Sequence, residues 1–109
     1  MATRSKRLWN WTSLAAGTNC YVVPADETAL VKTIALNNNT AVATVFTVMT
    51  GANNEGNAFI RRTLLAGETA LIDLWLALPG AVSVWAKAAP ASANARISGY
   101  GAELEGVTD

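Results

Sequence analysis

Apolar runs along this chain are short, and turn-forming residues break them about every ten positions, a rhythm that suits strands rather than helices. The first run, residues 19–23, stops at Pro24-Ala25-Asp26-Glu27, and the second, residues 29–36, stops at Asn37-Asn38-Asn39. The third spans residues 41–50 and carries Val42, Thr44, Val45, Thr47 and Val48, β-branched residues that fit a pleated surface. A polar loop at 51–57 follows, then a run at 58–64 and the turn Ala66-Gly67-Glu68. Runs at 69–75, 81–87 and 93–103 complete the set, divided by Leu78-Pro79-Gly80 and Ala89-Pro90-Ala91-Ser92. The pattern predicts an all-β chain folded as an antiparallel β-sandwich, jelly-roll or Ig-like, of about seven to eight strands.

One stretch admits a second reading. Residues 68–77 are rich in Ala and Leu, which are good helix formers. Gly67 offers no strong cap, however, and Pro79-Gly80 leaves room for barely three turns, so the strand is preferred.

The start of the chain departs from the rhythm and divides it into an arm, residues 1–18, and a sandwich domain, residues 19–109. Arg4, Lys6 and Arg7 precede Leu8, Trp9 and Trp11, and small residues follow. Two indoles two positions apart lie on one side of an extended segment and are costly to leave in water. Either the segment is the first strand of the sandwich with both Trp in the core, or these six residues anchor an arm on a neighbouring subunit.

Composition narrows the function classes. The 109 residues are 51 % hydrophobic and only 15 % charged, which excludes a disordered chain. Alanine accounts for 21 of them, so the core is expected to be modest and some surface to be covered by neighbours. Eight basic and eight acidic residues cancel. Specific nucleic-acid binding is therefore not expected, and no apolar run is long enough to span a membrane. The basic start has no apolar segment behind it, so the chain is expected to be made and kept in a cytoplasm, or to assemble there into something larger.

The residues of catalysis are scarce. Without histidine, Ser13, Ser83, Ser92 and Ser98 have no imidazole to activate them, and a zinc site loses its usual ligands. The single Cys20 lies in an apolar run, where a thiol behaves as a small buried hydrophobe. Asp26, Glu27 and Glu55 lack the spacing of a calcium loop, and the glycines of 51–57 lack the Lys-Ser or Lys-Thr of a phosphate loop. Asp73, inside an apolar run, shares a face with Leu71 and Trp75, and a structural ion pair with Arg61, Arg62 or Arg96 is expected. No cofactor and no enzymatic activity are expected. Trp75 and Trp85, with Asn53, Asn54 and Asn57, supply the residue types of a sugar site, although core packing accounts for both tryptophans as well.

The order Tyr21-Val22-Val23-Pro24-Ala25, Val31-Lys32-Thr33-Ile34-Ala35-Leu36-Asn37-Asn38, Leu64-Leu65-Ala66-Gly67-Glu68-Thr69, Pro79-Gly80, Val82-Ser83-Val84-Trp85-Ala86 and Ala95-Arg96-Ile97-Ser98-Gly99-Tyr100 resembles small β-sandwich virion proteins of tailed bacteriophages and gene transfer agents. A strand ending in an Asn-rich turn, an L-x-A-G-E-T turn and a closing I-S-G strand recur in them. The resemblance covers roughly residues 19 to 103 and brings no catalytic residues. It implies a virion structural protein of the capsid-decoration, head-fibre, collar or tail type. The partners it implies are further copies, a trimer first, and other capsid or tail proteins. The alternative is a carbohydrate- or receptor-binding module, and the two readings differ in whether the aromatics are covered or exposed beside Asn or Asp.

Overall fold

The computed structural model describes residues 3–15, 17–51 and 55–105. Within them lie eight strands: β1 (Thr3–Leu14), β2 (Thr18–Val22), β3 (Glu27–Asn38), β4 (Thr44–Thr50), β5 (Ala58–Leu64), β6 (Thr69–Leu78), β7 (Ser83–Ala89) and β8 (Ser92–Glu105). The only helical element among the described residues is a 3-10 turn at Glu55–Asn57. A first sheet of order β1-β8-β3-β6 packs on a second of order β2-β7-β4-β5, and every neighbouring pair is antiparallel. The pairs β1–β8, β2–β7, β3–β6 and β4–β5 nest inside one another, like one long hairpin folded over on itself. That nesting is the jelly roll, one of the two sandwich types expected. Residues 68–77 are strand, as preferred.

The core follows from alternation. Ala29, Val31, Ile34 and Leu36 of β3 face inward and meet Phe46 and Val48 of β4, Val84, Ala86 and Ala88 of β7, and Ala95 and Ile97 of β8. The phase of β3 changes at Lys32, where a register shift separates Val31 from Thr33 against both neighbours. Small residues stand opposite large ones: Ala86 pairs with Val48, and Ala88 with Phe46. Ala86 and Ala88 are thus interior filler that lets the larger side chains interdigitate. Burying a Phe or Ile contributes about 1.5–3 kcal/mol before the cost of ordering the chain.

Residues 3–14 correct the division into arm and sandwich. They form β1, an edge strand hydrogen-bonded to β8 from Thr3↔Leu104 to Leu14↔Ser92. Trp9 and Leu14 are buried in the core. The expectation that Trp9 and Trp11 share a side also fails, because a register shift between Trp9 and Thr12 turns Trp11 outward.

Asn38, expected in a tight turn, instead ends β3 as a fully buried hub. Its Nδ2 donates to the carbonyls of Val42 (2.9 Å), Leu64 (2.9 Å) and Leu65 (3.1 Å). Its Oδ1 accepts from the hydroxyls of Thr40 (2.6 Å) and Thr44 (3.4 Å) and from the Thr40 amide (3.2 Å). One side chain therefore ties the β3–β4 link to the β5–β6 turn. In that turn Gly67 has φ +82° and donates its N–H to the Asn38 carbonyl at 2.8 Å, a backbone conformation that favours glycine.

Candidate binding face

The outer face of the first sheet gathers residues that sequence reading scattered. Cross-strand partners share a face, so the register builds it row by row. One row runs Arg7–Tyr100–Thr33–Asp73 across β1, β8, β3 and β6. The next contains Ser98, Ala35 and Leu71, and beyond it come Ser13, Arg96, Asn37 and Thr69. On the other side of the Asp73 row stand Trp75 and then Ala102, Leu30 and Ala77. Trp75 is 76 % exposed, Leu71 71 %, Tyr100 47 % and Trp11 41 %.

Polar contacts hold this face in place without covering it. Arg96 donates to Asn37 Oδ1 at 3.1 Å, and Asn37 Nδ2 to Thr69 Oγ1 at 2.9 Å. The Arg96 guanidinium stands 5.9 Å from the Trp11 ring centroid, and Lys32 Nζ 5.6 Å from that of Trp75. Such cation–π contacts steady each indole while leaving much of its surface in water.

Asp73 does share a face with Leu71 and Trp75, but that face looks outward. Its Oδ1 accepts from Thr33 Oγ1 at 3.2 Å, its neighbour across the sheet. The expected ion pair is replaced by this bond: Arg61 and Arg62 belong to β5 of the other sheet, and Arg96 is held by Asn37 and Trp11. Of the anchor residues expected at the N-terminus, Arg7 and Trp11 reach the face, while Trp9 is in the core and Leu8 packs against it. The side chains of Arg4 and Lys6 lie outside the described residues.

The sugar set named from the sequence does not assemble. Trp75 is on the outer face of the first sheet, whereas Trp85 alternates with the buried Val84 and Ala86 and so faces outward from the second. Asn57 closes the 3-10 turn before β5, and Asn53 and Asn54 lie outside the described residues. Alternation along β6 places Leu71 beside Trp75, whereas Tyr100 and Trp11 were missed, because only the register between strands brings them to this face.

Two titratable groups lie elsewhere. Burial pushes the Cys20 thiol up to about 12. The Tyr21 hydroxyl is also raised, first by burial and then by its hydrogen bond to Glu103 and the nearby charges of Glu103 and Glu27. Both changes hold the groups neutral and make them poor nucleophiles. Among the described residues no cluster of His, Cys, Asp and Glu is arranged to hold a metal, and no helix is long and apolar enough to cross a membrane. No protein family, curated protein or solved structure matches this chain. The face is mixed: Trp11, Leu71 and Trp75 stand exposed along its two edge strands, and Tyr100, Thr33, Asn37 and Arg96 occupy the strands between them.

Proposed function

We propose that the chain is a non-enzymatic structural component of a phage-like virion, carried on the capsid, neck or tail, and that it assembles through the outer face of the first sheet. The observation that carries this reading is the uncovered set Trp11, Leu71, Trp75 and Tyr100 on one sheet face. Large exposed apolar side chains gathered on one sheet face suit a protein that works in contact with other proteins. The resemblance in strand and turn order supports the virion setting, and so, by analogy of fold alone, does the use of jelly rolls in viral capsid domains. The N-terminal segment contributes Arg7 and Trp11 to the face instead of acting as a separate arm.

The test is to purify phage-like particles from cells that express the chain together with the structural genes of such a particle. The full chain co-purifies in fixed ratio to the major particle protein, and Trp75→Ala lowers that ratio while the isolated variant stays folded. A chain absent from purified particles overturns the proposal.

A second reading has its own observation: Trp75 stands exposed beside Asp73, as a ring that stacks on a pyranose next to a hydrogen-bonding carboxylate would. Glycan binding abolished by Trp75→Ala would favour a carbohydrate-binding module.

A further inference from the structure

We infer that the outer face of the first sheet pairs with the same face of a second copy of this chain, about a two-fold axis lying between the sheets and parallel to the strands. The inference deepens the assembly reading above and rests on it.

The row Arg7–Tyr100–Thr33–Asp73 carries a cation at one end and a carboxylate at the other. The two-fold operation exchanges the ends of the face, laying β6 of one copy over β1 of the next and β8 over β3. Arg7 then meets Asp73 of the second copy, and Asp73 meets Arg7, so one operation creates two opposite-charge contacts. An isologous interface requires this self-complementarity. The same operation lays Leu71 over the part of β1 that carries Trp11, beside the charged contacts along each rim, and Tyr100 over Thr33 between the rims. Arg7 and Asp73 are exposed, and their hydrogen bonds are local, to Asn10 of the same strand and to Thr33. Among the described side chains of the face, the other cations, Lys32 and Arg96, stand over the Trp75 and Trp11 rings.

Charge and size agree with a weak dimer. The formal net charge is +0, so no long-range repulsion keeps copies apart. Four strands spaced about 4.8 Å, over about seven residues of about 3.3 Å each, make a face of roughly 450 Å². Two such faces bury on the order of 1,000 Å² once side chains interleave, the lower bound for a specific interface. Stacked sheets sit about 10 Å apart, within reach of an arginine and an aspartate extended from facing rims.

Sedimentation equilibrium of the full chain tests this directly. The chain is expected to dimerise at micromolar concentration. Asp73→Arg and Arg7→Asp each bring like charges together twice and weaken the dimer by about tenfold or more, and the double variant regains it. If a charge reversal fails to fold, Leu71→Arg at the same face gives the same loss. A monomer at about 100 µM, a trimer, or a dimer indifferent to these substitutions overturns the two-fold pairing, the last pointing to an edge strand such as β6. Co-purification with particles separates the two claims. A chain that joins particles yet is monomeric in solution overturns the pairing alone, and one that dimerises as described yet never joins particles overturns the virion reading alone.

Discussion

The indole of Trp9 lies across the backbone of Gly99: a Cβ at that glycine would stand 2.3 Å from both Cζ3 and Cη2 of the ring. Trp9 and Gly99 are cross-strand partners, and the bare backbone lets the ring lie flat against β8. On its other side the ring stacks on Tyr21, with centroids 5.5 Å apart and planes inclined by 24°. This contact joins the edge strand to both sheets and explains why the N-terminal segment is part of the fold.

Gly99→Ala forces the indole or the strand to move and is expected to cost about 2–3 kcal/mol. Trp9→Ala removes the ring and is expected to cost about 3–5 kcal/mol. Urea unfolding followed by fluorescence or dichroism measures both. An unchanged midpoint for Gly99→Ala would contradict the contact.

Deleting residues 1–11 is expected to unfold the domain, because it uncovers the backbone of β8 and removes Trp9 from the core. Far-ultraviolet dichroism of the truncated chain decides. A spectrum and midpoint equal to those of the full chain would make β1 dispensable.

Asn38→Leu leaves the carbonyls of Leu64 and Leu65 without their Asn38 donor in a buried setting and is expected to cost about 3 kcal/mol or more. The loss appears as a lower thermal midpoint. A change below about 0.5 kcal/mol would show that the hub is replaceable.

Stability is expected to be flat from pH 7 to about 9 and to decline above it. Cys20 is raised from 9.0 to about 12, and Tyr21 is raised above 10.0. Raised values mean that the neutral groups favour the folded state. Their contribution is complete below the unfolded values and is lost as pH climbs towards the folded ones. Thermal midpoints across this range measure the decline, and Cys20→Ala with Tyr21→Phe flattens it. The native thiol also reacts slowly with a thiol reagent and quickly after unfolding.

Strand positions were readable because Pro, Gly and Asn punctuate the chain: β5 begins and ends where residues 58–64 were expected, and β3, β4, β6, β7 and β8 differ from their expected limits by a few residues. Inside and outside were not readable for β6. Leu71 and Trp75 alternate with Ile72, Leu74 and Leu76, so both phases are apolar and only the partner sheet chooses between them. The role of residues 3–14 was hidden for a related reason. Their place depends on a glycine ninety positions further along the chain, and no local pattern announces that Gly99 reserves space for Trp9. Register shifts in β1 and β3 broke the alternation at the positions where the outer face of the first sheet is built.

The nested pairing has one further consequence. Thr3 stands opposite Leu104, so the outermost strands end side by side. Residues on paired strands are about 5 Å apart, a gap that a few linking residues cross. A backbone joined there would be a closed ring, with all eight strands keeping their neighbours around it. Opening that ring within the polar loop at 51–57 would give a circularly permuted chain that begins near β5 and ends with β4. Its innermost hairpin would be cut, and the old ends would become its tightest turn.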